Sequence, residues 1–80
     1  MEKIYETLSF LCRWYNLESH QLGRDRRDNT ERLHHSAATV ATLETTIEEI
    51  AHMNNIHMSH VMIKDDNGVA YYTYAYRGME

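Results

Sequence analysis

The chain has 80 residues and holds six histidines, three of which, His52, His57 and His60, fall close together. Imidazole ligates transition metals and changes charge near neutral pH. A zinc site built from such residues uses spacings like HExxH or CxxC, and neither is present. His57 and His60 are an odd number of residues apart, so on an extended strand they point to opposite faces. His34 and His35 are adjacent and diverge by about 100 degrees on a helix, so they cannot chelate together. The histidines therefore read as surface groups, with no metal or cofactor expected. A histidine-lined dimer seam that weakens on acidification is the sharper alternative.

Two charged clusters invite other chemistry. Arg24, Arg26, Arg27 and Arg32 form a positive patch, with Arg13 nearby, and arginine binds phosphate oxygens bidentately. A helix starting at Asp28 would add the partial positive charge of its free amides. Interleaved Asp25, Asp28 and Glu31 can pair with the same arginines, which favours a solvated, self-compensating turn. Glu44, Glu48 and Glu49 form an acidic patch in which Glu44 and Glu48 share one helical side, able to steer a basic partner. No Gly-rich phosphate loop, serine elbow or Cys, His and Asn arrangement is present, and the single cysteine, Cys12, lies in the first helix between Leu11 and Arg13, where a free cysteine behaves as a small apolar residue. No catalytic activity is expected.

The tyrosines carry the most weight. Tyr71, Tyr72, Tyr74 and Tyr76 lie within six consecutive residues of a β-prone run. Tyrosine buries much area at low entropic cost and is enriched at interface hot spots, and an unpaired edge strand can accept a strand from another chain. The competing reading has these rings covering the protein's own small core.

The elements that must position these residues follow from spacing. Ile4, Leu8, Leu11 and Tyr15 recur at three and four residues, with Phe10, Trp14 and Leu17 widening the stripe, which predicts a helix from Glu2 to about Leu22 ending at Gly23. The polar run after Gly23 reads as an exposed turn, and Asp28 with Glu31 outlines a capping box for a second helix. Leu33, Ala37, Val40, Ile47 and Ala51 share a stripe that only Glu44 interrupts, so this helix runs to about Met53. Its many β-branched residues keep an alternative open, in which Arg32 to Ala41 forms a strand and the order becomes βαββ. Met58 to Lys64 and Val69 to Tyr76 flank Asp65, Asp66, Asn67 and Gly68, predicting an antiparallel hairpin with positive φ at Asn67 and Gly68. Leu8, Leu11, Tyr15, Leu33, Val40, Ile47, Ile50, Val61 and Ile63 form the expected core.

This length suits one domain of α+β class: two antiparallel helices packed on a C-terminal hairpin. A net charge of −4 disfavours non-specific attraction to nucleic acid, and the 42% hydrophobic share is that of a folding chain. A lone cysteine, no long apolar run and a Met1, Glu2, Lys3, Ile4 start unlike a secretory signal lead to a cytoplasmic expectation without membrane association. Small size and a hairpin apolar on both faces favour a homodimer. In layout, the helix followed by a hairpin turning at Asn67 and Gly68 resembles many small phage-encoded proteins that block host enzymes, a likeness covering about half the chain. It implies a non-catalytic regulator or inhibitor that docks on a larger protein, here through the aromatic strand and acidic helix face. The alternative is a nucleic-acid-binding regulator using the Arg24 to Arg32 turn.

Overall fold

The structure, a computed structural model, describes residues 2–76. Helix α1 (Glu2–Asp28) and helix α2 (Leu33–Met53) precede an antiparallel hairpin of β1 (Met58–Lys64) and β2 (Ala70–Tyr76). This is the α+β arrangement of two helices and a hairpin, and residues 33–41 are helical rather than extended. The threonines that made this segment ambiguous return their hydroxyls to the carbonyls four residues back. Thr42, Thr45 and Thr46 donate to Ala38, Ala41 and Thr42 at 3.0, 3.1 and 2.9 Å, so their polar atoms are satisfied within the helix.

α1 does not stop at Gly23. A Cβ there would lie 2.7 Å from the Ala70 carbonyl oxygen and 2.9 Å from Val69 Cγ1, so this glycine lets the helix backbone approach β2. The helix ends instead at Asn29, whose φ of 51° is left-handed, with the Thr30 N–H returning 3.1 Å to the Asp25 carbonyl. The same device ends α2: Asn55 has φ 53° and the Ile56 N–H returns 2.9 Å to the Ala51 carbonyl. Both are Schellman closures with asparagine in place of glycine.

The expected capping box does not form. Asp28 belongs to α1, and α2 is preceded by Arg32 in helical conformation with no side-chain cap. The polar turn is not wholly exposed either, because Asp25 is only 2% exposed and accepts the Ser36 hydroxyl. That bond ties the last turns of α1 to the first turn of α2.

The core joins Leu8, Cys12, Tyr15 and Leu22 of α1, Val40, Leu43 and Ile47 of α2, and Tyr74 and Tyr76 of β2. Leu11, Leu33 and Ile50 pack at its margin. Val61 and Ile63, expected inside, are 50% and 41% exposed, and Phe10, Trp14 and Leu17 lie outside the buried stripe of α1. The reason is topological. α1 packs on α2 and on β2, while β1 touches chiefly β2, so the helices cover only half of the hairpin. The molecule measures 40 × 24 × 15 Å, too thin for a further layer beyond the sheet.

The hairpin pairs Met58 with Tyr76 through to Lys64 with Ala70. Its turn closes by the Gly68 N–H donating to the Asp65 carbonyl at 3.0 Å, with φ 80° at Gly68 and no positive φ at Asn67. This is the three-residue loop with a glycine bulge, not the two-residue turn that needs positive φ at both centres. Asp65 Oδ1 accepts the N–H groups of Asn67 and Val69 at 2.8 and 2.9 Å, which fixes the loop.

Candidate functional site

β2 is held by its outer edge. Asn16 on α1 accepts the Tyr74 N–H through Oδ1 at 2.7 Å and donates through Nδ2 to the Tyr74 carbonyl at 3.2 Å. One amide side chain thus replaces a missing neighbouring strand at its midpoint. Further along, His20 Nε2 lies 2.7 Å from Asp65 Oδ2 and the His20 ring stacks on Tyr71 at 4.3 Å, which pins the loop end of the hairpin to α1. The His20 bond, followed by that from the Val69 N–H, holds the Asp65 carboxyl below the usual carboxylate range.

The tyrosines divide by position along the strand. Tyr74 and Tyr76 are buried, so the expectation that their rings face a partner does not hold for these two. Tyr76 donates its hydroxyl to the Tyr5 carbonyl at 2.9 Å, and Tyr74 donates to Glu48. Tyr72 stays 44% exposed, and Tyr71 is half-buried against His20.

Between α1, α2 and the hairpin lies a cleft of about 460 Å³ lined by Tyr15, Ser19, Arg26, Glu44, His60 and Tyr72. His60 is opposite Tyr74 in the register, and their rings are parallel with centroids 4.0 Å apart. Its Nε2 is 2.9 Å from the Tyr15 hydroxyl, while Nδ1 is 3.9 Å from Glu44, beyond hydrogen-bond reach. Burial, reinforced by the Glu44 charge, pushes the Tyr15 phenol up to about 12. Burial and then the bond to Glu48 raise that of Tyr74 as well. The cleft thus brings together a phenol, an imidazole, a carboxylate and a guanidinium, with the first two committed to each other. Among the described residues no group of three or more His, Cys, Asp or Glu is placed to hold a metal. Cys12 is fully buried, which pushes its thiol up to about 11 and leaves it protonated.

The two charged clusters are placed differently from the sequence reading. Glu48 is taken by Tyr74 and Glu44 leans toward His60, so this side of α2 faces the hairpin rather than forming an open acidic field. Arg24 donates to Gln21 Oε1 at 2.7 Å, Arg27 pairs with Asp28 at 3.1 Å, and Arg26 borders the cleft. All three stand in the last turns of α1, where the helix dipole favours cations, and no helix begins at Asp28 to lend amides to a phosphate. His34, His35, His52 and His57 are exposed, whereas His20 and His60 are structural partners that sequence reading placed at the surface.

β1 carries an uncovered run of apolar residues. Val61, Met62 and Ile63 are consecutive and each is at least 41% exposed. By alternation, Val61 and Ile63 share a face with their cross-strand partners Thr73 and Tyr71, and Met62 shares the opposite face with Tyr72. A sequence signal existed: a strand without polar alternation must be covered on both faces or leave one open, and two helices that pack on each other cannot cover both. No helix among the described residues is long and apolar enough to cross a membrane. Comparison with protein-family models, with curated proteins and with solved structures finds no match to this chain.

Proposed function

We propose that this chain is a small non-catalytic protein-binding module, a regulator or inhibitor that docks on a larger protein through the open face of its hairpin. The observation carrying this reading is the exposure of Val61 and Ile63 on one face of β1, beside Tyr71 and Thr73, with no element among the described residues packed over them. Water-facing β-branched side chains next to a tyrosine give a flat apolar patch with a hydroxyl at its rim, the composition of a binding surface. Tyr71 remains in the docking surface, whereas Tyr72 stands on the opposite face at the cleft and Tyr74 and Tyr76 are buried on that same side.

Affinity capture with the full chain tests this. A protein retained by wild type and lost with Ile63→Glu, while the circular dichroism of the variant stays that of wild type, is the expected result. Capture of the same protein at equal yield by Ile63→Glu would remove the reading.

A further inference from the structure

We propose that the free edge of β1 pairs with β1 of a second copy, antiparallel and centred on Val61, joining two hairpins into one four-stranded sheet. This goes beyond the docking reading, since it uses the edge of the hairpin and not its face.

The phase of the ladder decides which backbone groups are free. In an antiparallel pair, residues alternate between those that exchange both backbone bonds with the opposite strand and those whose N–H and C=O point away. Asp65 donates its N–H to the Val69 carbonyl at 3.0 Å, so along the register Ile63, Val61 and Ser59 bond inward to β2. Met58, His60, Met62 and Lys64 therefore point outward. β2 confirms the phase, because Tyr74, opposite His60, turns both backbone groups away from β1 and onto Asn16. Among the described residues nothing does for His60 and Met62 what Asn16 does for Tyr74. The usual devices that blunt an edge are missing too: β1 has no proline, its register with β2 runs unbroken without a bulge, and only Lys64 is charged.

A second copy is the occupant these groups fit. Pairing about a twofold axis at Val61 sets His60 against Met62 of the other copy and Met58 against Lys64, so every outward donor meets an outward acceptor. Moving the register by one residue would set outward groups against groups already bonded to β2. Moving the axis to His60 or Met62 would push an outward residue past the end of the strand. Centring on Val61 also keeps the lone strand charge, Lys64, opposite Met58 rather than opposite itself, which avoids like-charge repulsion. The two Val61 side chains then meet at a non-hydrogen-bonded position, where Cα atoms come within about 4.5 Å.

The test combines mass and register. Sedimentation equilibrium of the full chain should give the dimer mass at high micromolar concentration. Met62→Pro removes one outward N–H without touching the bonds to β2, and it should return the mass to that of the monomer with unchanged circular dichroism. Under mild oxidation Val61→Cys should become a disulfide-linked dimer. Ser59→Cys and Ile63→Cys should not, because each faces the other across the axis and not its own copy. Native Cys12, fully buried, stays silent. A wild-type monomer at high micromolar concentration, a dimer that survives in folded Met62→Pro, or equal cross-linking of Ser59→Cys and Val61→Cys would each overturn the proposal. Should Met62→Pro fail to fold, the cysteine series decides alone. A monomeric chain that still captures a protein through Ile63 would defeat this pairing and leave the docking reading standing.

Discussion

Gly23 and Asp25 are residues whose roles come from what lies across from them. In an exposed helix interior, replacing glycine by alanine gains about 1 kcal/mol of helix propensity. At Gly23 the new methyl would meet the Ala70 carbonyl at 2.7 Å, and a backbone atom cannot swing aside as a side chain can. Gly23→Ala should therefore destabilise the protein by up to about 2 kcal/mol net, since overpacking of this kind costs about 1–3 kcal/mol, and a lowered Tm reads it directly. Asp25 is held below the ordinary carboxyl range by the Ser36 hydroxyl first, against its burial, with Gln21 adding to the effect. Because its folded value lies below its unfolded one, its contribution is complete above the ordinary carboxylate value of about 4 and is lost as pH falls through the lowered value. Asp65 behaves with the same sign through His20. Urea unfolding should show this contribution being lost as the pH falls below about 4. Asp25→Asn should flatten that decline while lowering the neutral-pH value.

At the scale of elements, the hairpin depends on α1 more than on its own turn, because an isolated two-stranded hairpin is at best marginal in water. Asn16 supplies both bonds at the centre of β2 and His20 supplies the anchor at the loop. Asn16→Ala leaves the Tyr74 N–H and carbonyl without their side-chain partner, and should cost about 1–3 kcal/mol. Asn16→Asp keeps the acceptor but loses the donor. Amide hydrogen exchange checks the assignment, with the Tyr74 amide losing protection in Asn16→Ala before the amides of α2 do. The two asparagine closures, at Asn29 and Asn55, show how a helix can run past a glycine and stop at a residue that tolerates positive φ.

For the whole molecule, one small core carries the fold. Ile47 is fully buried, in the cluster of described residues that joins Leu8, Cys12 and Tyr15 of α1 with the two buried tyrosines of β2. Ile47→Asp places an unpaired charge there and should abolish the cooperative thermal transition. A sharp transition at the wild-type temperature would contradict this account of the core. The same smallness explains the uncovered β1, since a chain of this length hides only about 60% of the surface its unfolded form exposes.

Periodicity and turn chemistry alone determined α1 to about Leu22, the later part of α2, the hairpin at Asp65 to Gly68 and most of the helical core, because those features depend on neighbours three, four or two residues away. Leu8, Tyr15, Val40 and Ile47 were legible for that reason. The candidate site was legible only as a set of residue types. Which tyrosines stay exposed, why Val61 and Ile63 lie outside, why Glu44 interrupts an apolar stripe and why Gly23 continues a helix were decided by tertiary structure. Each answer rests on a contact between residues more than ten positions apart: Tyr74 with Asn16 and Glu48, His60 with Tyr15 and Glu44, Gly23 with Ala70. Local spacing says that a strand is apolar on both faces, and only the placement of α1 along one edge says which face and which edge remain free.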